Sequence, residues 1–409
     1  MKFRMDQLLF SLSAGLDSVE KEILGATVNH GKRIAILSIA MGKHMNMSRD
    51  ELSGLAACAI LHDNALTEYV NSMRPGDTQM RDMQLHCLKG EKNASHLPFL
   101  SNVDGFIQYH HEFADKSGPF HMDPEATPIG AQLIAIADDL DIHYSLSSFP
   151  HGSIHKLHSI IKKKSKTYYT QLASELMLGV LDGDLLSLLS NEHVDEAFYE
   201  MMPEWVVDKP AVDLMSLSKV VAGITDYKSR FTAKHSTQIA NRAYWMTRYY
   251  GFDAETCAKV YIAAAFHDIG KLLTPSKILE KPGKLTDDEL VIIQQHVHWS
   301  YVLLKNVEGF EEICRWAVTH HRKMNGKGYP DLPEDFLADD FFCRLLACID
   351  IYQAVRETRP YHEGRTHEAV MRIMHGMVER GEIDGQITDD LEKEMAQFVV
   401  GDGDVPSPF

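Results

Sequence analysis

A chain of 409 residues is too long for one ordinary hydrophobic core, so two or three domains are expected. Its 44% apolar and 24% charged content is that of a soluble globular protein, and no run approaches the roughly 18 uninterrupted apolar residues of a membrane span. A formal net charge of −17 excludes bulk electrostatics as a route to polymeric nucleic acid or an anionic membrane, so an anionic substrate needs local metal ions or a few placed cations.

The first residues, Met1 to Asp6, carry no long apolar core and no small-residue cleavage site, so no export signal is expected. Apolar residues at three-and-four spacing predict helices over 6–24, 29–46, 49–63, 79–92, 101–112, 127–146, 152–163 and 166–190. From Met202-Pro203 to Lys209-Pro210 two prolines interrupt helical sequence, which sets the expected boundary between domains 1–205 and 206–409. Beyond it the pattern predicts helices over 214–228, 230–250, 253–268, 286–306, 309–321, 338–357, 366–380 and 388–399. Thr286 followed by Glu289 reads as a capping box. Alternating strand patterns are scarce, and the expected class is all-α. Lys162-Lys163-Lys164 reads as a solvated helix end, and the tail from Gly401 to Pro408 as loose. The six cysteines form no Cys-x-x-Cys pair and sit in apolar helical contexts, as reduced core residues of a cytoplasmic protein do.

The 22 histidines carry the chemistry. His235 opens a helix 32 residues before His267, and His267-Asp268 end the next one. His296 lies within a helix, and His320-His321 end another. Asp350 sits inside the apolar run Leu345 to Tyr352, where a carboxylate is expensive unless paired or bound to a metal. Imidazole and carboxylate donors without thiolates suit Fe, Mn or related divalent ions, Zn included. Five histidines and two aspartates exceed the needs of one ion, so two ions sharing a bridging carboxylate is the natural count. Such a pair clamps the attacking and leaving oxygens of a phosphoryl displacement.

The same set recurs. His30 precedes His62 by 32 residues, as His235 precedes His267, and His86 precedes His110 by 24, as His296 precedes His320. Asp63, His111 and Asp138 match Asp268, His321 and Asp350, with offsets that drift only from 205 to 212. That pattern reads as a tandem duplication of one helical domain.

The order His235, His267-Asp268, Asp350 resembles that of the HD metal-dependent phosphohydrolases. The stretches His267 to Lys271, Lys281 to Thr286, His320-His321, Gly328-Tyr329-Pro330 and Arg359-Pro360-Tyr361 resemble the HD-GYP subfamily, over about 225–390. The resemblance implies hydrolysis of a bacterial cyclic dinucleotide, first of all cyclic di-GMP, to a linear dinucleotide and on to mononucleotides. The alternatives are a preference for 3′,3′-cyclic GMP-AMP and a non-hydrolytic cyclic-dinucleotide sensor. It further implies His235, His267, Asp268 and Asp350 on one ion, and Asp268, His296, His320 and His321 on the other, with Asp268 bridging. Lys271 and Arg359 would contact the substrate phosphate, so Asp268 and Lys271 are the expected catalytic residues. Beyond the substrate, a second copy of the chain or a signalling protein is the candidate partner.

Departures from the family pattern shape the expectation. Where the family loop reads His-His-Glu-x-x-Asp-Gly-x-Gly-Tyr-Pro, Arg322 and Asn325 replace the two acids, and Lys323 and Lys327 make the loop basic, which bears on which dinucleotide is preferred. Phe231 stands where members with three metals carry a Glu ligand. In the first half Asn64-Ala65-Leu66 follows His62-Asp63, so the counterpart of Lys271 is missing, and no Arg-Pro-Tyr follows Asp138. That half is expected to be a degenerate regulatory or structural domain. It would hold metal through His30, His62, Asp63, His86, His110, His111 and Asp138 yet hydrolyse poorly.

Overall fold

The computed structural model of the chain describes residues 1–68, 83–229, 234–329, 340–358, 364–398 and 404–409. Helices are the main elements among these residues, and the strands among them are two three-residue ones, β1 (Lys2–Arg4) and β2 (Val206–Asp208), which pair with each other. The chain divides into two compact units, Arg4–Val206 and Met1–Phe3 with Val207–Phe409. Among the described residues no helix is long and apolar enough to cross a membrane.

The first unit contains α1 (Met5–Leu24), α2 (His30–His44), α3 (Arg49–Leu61), α4 (Met83–Ala94), α5 (Ile129–Tyr144), α6 (Ile154–Lys164), α7 (Gln171–Val180), α8 (Gly183–Leu188) and α9 (Val194–Met201). Its centre is α2, whose Ile34, Ala35, Ile36, Leu37 and Ile39 are all buried because the helix packs against α1, α3, α5, α7 and α9. A helix hydrophobic on most of its faces can only be stable there. Ser48 and Glu51 form a reciprocal capping box that starts α3.

The expected helix over 101–112 is instead a run of turns. Gly105 adopts φ +78°, and the Glu91 carboxylate accepts the amides of Gly105 (2.7 Å), Ile107 (3.1 Å) and Gln108 (2.9 Å). One side chain thus satisfies donors that helix carbonyls would otherwise take. The expected helix over 166–190 breaks where Asp182 caps α8 through the Leu185 amide (2.8 Å). Lys164 is not merely a solvated helix end, since it pairs with Asp139 (2.7 Å) and lies 4.7 Å from the Tyr168 ring centre.

The second unit contains α10 (Ala211–Asp226), α11 (His235–Tyr249), α12 (Ala254–Phe266), α13 (Ser276–Leu279), α14 (Asp287–Leu304), α15 (Glu311–Val318), α16 (Phe341–Arg356), α17 (His367–Glu379) and α18 (Gly385–Met395). Here α12 is the buried helix, packed by α10, α11 and α15, while α11 also meets α16. The chain start belongs to this unit: the Met1 amino group bonds the Lys209 carbonyl (2.7 Å), and the Phe3 ring packs on Phe310 (4.9 Å). The tail is not loose over 404–409. Val405 donates to Gln238 Oε1 (2.8 Å) and accepts from Asn241 Nδ2 (2.9 Å), and Trp245 Nε1 donates to the Pro406 carbonyl (3.0 Å). A buried valine with both backbone groups paired is an anchor.

Candidate metal centre

In the second unit five helices, at their ends or interiors, point imidazoles and carboxylates at one spot. His267 and Asp268 follow α12, His235 opens α11, His296 lies in α14, His320 and His321 follow α15, and Asp350 is in α16. The Asp268 carboxylate faces two groups. Its Oδ2 meets Nε2 of His267 (3.0 Å) and His235 (3.6 Å), and its Oδ1 meets Nε2 of His296 (3.2 Å) and His320 (4.0 Å). Asp350 Oδ1 faces His235 (3.5 Å) and His267 (4.0 Å), and its Oδ2 faces Nδ1 of His321 (3.9 Å). All seven expected residues of this half therefore converge.

The rings are oriented by their other nitrogens. Nδ1 of His267, His296 and His320 donates to the carbonyl three residues back, at Ala264 (2.7 Å), Ile293 (2.6 Å) and Ala317 (2.7 Å). That proton assignment leaves each Nε2 a lone pair directed inward. His235 uses Nδ1 on Glu357 Oε2 (2.8 Å), a carboxylate behind a histidine as in many metal sites. Nε2 of His267, His296 and His320, with Asp268 Oδ1, are buried and have no hydrogen-bond partner. Buried polar atoms are rarely left so, and inward lone pairs beside carboxylates are what a divalent cation satisfies. The residues fit a metal.

The electrostatics agree. Burial alone would raise Asp268, but the neighbouring His267, Lys271 and His296 hold its carboxyl well below the ordinary value. Burial likewise opposes ionisation of Asp350, and His235, His321, His320 and His267 overcome it. Burial pushes His320 well below the ordinary imidazole value and His321 to about 3, against the pull of Asp350 on His321. Ionised aspartates beside neutral imidazoles are the protonation states of a ligand set.

Lys271 reaches the site and its ammonium is ion-paired to Asp268 Oδ2. It is placed by a close backbone approach: Gly270 donates to Ser300 Oγ (2.9 Å), and that hydroxyl donates to the His267 carbonyl (2.9 Å). Tyr329 packs on His321 with ring centres 4.7 Å apart. The basic loop is partly spent on structure, because Lys323 pairs with Glu382 (2.6 Å) and its amide bonds the Lys327 carbonyl (2.9 Å). Arg359, with Pro360 and Tyr361, lies outside the described residues, as do Phe231 and Pro330.

The first unit gathers its set as well. His30 Nε2 meets Asp138 Oδ1 (3.2 Å), His62 Nε2 meets Asp63 (3.7 Å) and Asp138 (3.8 Å), and His86 and His110 meet Asp63 Oδ1 (2.9 and 3.8 Å). His111 joins the group of Asp63, His86 and His110, whose ligand atoms lie within 4.8 Å of one another. His62 and His110 donate Nδ1 to Ala59 (2.9 Å) and Ile107 (2.6 Å), as their counterparts do. Leu66, buried, stands three residues after Asp63 where Lys271 follows Asp268.

The residues behind the ligands escaped sequence reasoning. His30 bonds Asp141 (2.7 Å), which Arg33 holds with two hydrogen bonds (2.7 and 2.9 Å), whereas His235 bonds Glu357. Asp141 follows Asp138 by three positions and Glu357 follows Asp350 by seven, so helical periodicity put each near its histidine, but unequal spacing hid them from a repeat alignment. Glu20 is a third such residue, with both oxygens buried in the first unit.

Comparison with known proteins agrees with this geometry. Residues 219–387 match the family described as "HD domain". Over 96% of this chain and 92% of the relative, the sequence is 29% identical to a protein of Vibrio cholerae serotype O1 named "3'3'-cGAMP-specific phosphodiesterase 1". It is 30% identical, over 45% of this chain and 48% of the relative, to the "Cyclic di-GMP phosphodiesterase response regulator RpfG" of Xanthomonas campestris pv. campestris. Among solved structures, a cyclic GMP-AMP specific phosphodiesterase of V. cholerae (V-cGAP3) shares the fold with a TM-score of 0.63 and 21% identity, over 99% of this chain and 100% of that one.

Proposed function

We propose that the second unit is a metal-dependent phosphodiesterase that opens a bacterial cyclic dinucleotide to the linear dinucleotide. The observation that carries it is the Asp268 carboxylate, whose two oxygens face two separate histidine groups while Lys271 sits on the same carboxylate. His235, His267, Asp268 and Asp350 would hold one divalent ion, and Asp268, His296, His320 and His321 a second, with Fe or Mn suited to the oxygen and imidazole donors and Ni, Co or Zn as substitutes. When bound, such ions supply Lewis acidity at the phosphodiester and bring the pKa of water into the neutral range.

The chain's own residues account for orientation and charge. Carbonyls behind His267, His296 and His320 fix the tautomers, and Glu357 does so for His235. Lys271 supplies a positive point charge for a nonbridging phosphate oxygen, an electrostatic contribution that grows in a buried site. Arg359 is proposed as a second phosphate contact, and the first unit as a regulatory partner domain. Buried unpaired cysteines support a cytoplasmic setting.

The sequence resemblance put cyclic di-GMP first. The relative matched along nearly its whole length is named for 3′,3′-cyclic GMP-AMP, and the relative named for cyclic di-GMP matches about half the chain, so the mixed dinucleotide is proposed as the preferred substrate. Competition between the two dinucleotides over Mn-loaded protein tests the preference. A higher kcat/KM for cyclic di-GMP would reverse it.

A further inference from the structure

The first unit buries a carboxylate that the duplication does not explain. Glu20, near the end of α1, is 1% exposed, and neither carboxylate oxygen has a hydrogen-bond partner. Glu20, His62 and Asp63 each offer a ligand atom within 4.8 Å of the other two. An anion in that position is strongly unfavourable unless a cation compensates it. His30, the imidazole that acts on Glu20, is already shared by Asp138 (3.2 Å) and Asp141 (2.7 Å), and Leu66 stands in the place of Lys271.

Among the described residues the second unit has no counterpart. Asp17 Oδ1 accepts the amide of Gly31, the residue after His30 (2.9 Å), and Asp226 Oδ1 accepts that of Ser236, the residue after His235 (2.9 Å). These aspartates do the same job, so they align the two units. Three residues beyond them stand Glu20 in one and Ser229 in the other.

We propose that Glu20 is a metal ligand, and that the first unit holds a divalent transition-metal ion between Glu20, His62 and Asp63. His30 and Asp138 adjoin this position, since both face His62 or each other across 3.2–3.8 Å. The first centre then has three carboxylates, Glu20, Asp63 and Asp138, where the second has Asp268 and Asp350. A set richer in hard oxygen donors favours Mn or Fe over Zn. A cavity of about 260 Å³ lined in part by Asp63, His86, His110, His111 and Asp138 reaches one member of the set, Asp63. This is a metal site that the catalytic reading of the second unit neither needs nor explains.

Glu20→Gln in the full chain separates a ligand from a protonated core residue, because glutamine copies the shape of a neutral carboxyl group. Wild type and variant are stripped, reloaded with Mn(II), desalted and counted by mass spectrometry, and Mn(II) affinity is measured by titration. The expected result is loss of about one equivalent of metal, or a weakening of at least about tenfold in one class of sites. Unchanged content and affinity overturn the proposal. Should Glu20→Gln fail to fold, Glu20→Asp keeps the charge but draws it back by one methylene. A weakened site then supports the proposal and an unaltered one overturns it. Hydrolysis is not the readout, so the outcome stands whether or not the second unit cleaves cyclic dinucleotides.

Discussion

Gly270→Ala tests how the second unit's centre is assembled. A Cβ at Gly270 would stand 1.9 Å from the His296 carbonyl oxygen and 2.5 Å from the Ser300 amide nitrogen, whereas ordinary contact begins near 3.4 Å. Both neighbours are backbone, so no rotamer relieves the clash, and the segment after Asp268 must retreat from α14 by about 1.5 Å. The retreat opens both hydrogen bonds of Ser300 (2.9 Å each) and the approach of His296 to Asp268 (3.2 Å). Overpacking costs about 1–3 kcal/mol and each lost hydrogen bond about 1 kcal/mol, a total of about 3–5 kcal/mol. A misplacement of about 1 Å at reacting groups costs on the order of 100-fold in rate. Urea unfolding followed by circular dichroism, with turnover measured on metal-saturated protein, reads both. A variant within about 1 kcal/mol of wild type and fully active would refute the close approach as the device that sets the site. In the first unit the corresponding pair is Ala65 and Gly90, with the glycine on the opposite helix, so Ala65→Gly is expected to be mild.

Three further outcomes follow from the site. Lys271→Leu, which copies Leu66 of the first unit, should keep bound metal while lowering kcat by about 10²–10³; loss of metal instead would make Lys271 a structural counter-charge. Alanine at His62 or Asp63 should leave hydrolysis by the second unit unchanged, and an effect as large as that of Asp268→Ala would show that the first unit is catalytic or tightly coupled. In metal-free protein, folding withholds protons from His320 and His321, whose folded values lie below the unfolded one of about 6.5. Their contribution is present above about pH 6.5 and is lost as pH falls through about 3, the value for His321. The depressed Asp268 and Asp350 add a loss of the same sign below about pH 4. His30 is raised well above its ordinary value, because the hydrogen bonds of Asp138 and Asp141 outweigh burial, and its contribution is instead lost as pH rises through that value. Urea midpoints measured from about pH 7 to 4 check this, and a flat profile for the second unit contradicts it.

Much of the fold and site was legible because helices advertise themselves. The spacing of buried residues in α2 and α12 and the capping box at Thr286 place elements without tertiary information. The doubled His-Asp pattern was legible because ligand atoms must come from fixed points on helices. What stayed hidden depends on partners distant in sequence. Nothing local says that Glu91 will gather the amides of 105–108 in place of a helix, or that Val405 will be held by Gln238 and Asn241. Glu20 reads as an ordinary polar residue near a helix end, and only its burial beside His62 and Asp63 sets it apart. The basic character of the 322–327 loop was readable, but the capture of Lys323 by Glu382, 59 residues away, was not.

The central claim is that the Asp268 centre of the second unit cleaves a cyclic dinucleotide. The most direct measurement incubates the purified chain, loaded anaerobically with Fe(II) or with Mn(II), with 3′,3′-cyclic GMP-AMP, cyclic di-GMP and cyclic di-AMP, and follows the linear products by chromatography. The account predicts metal-dependent opening of the mixed dinucleotide that disappears in folded Asp268→Ala. Absence of turnover with every metal and substrate, or undiminished turnover in Asp268→Ala, would contradict it.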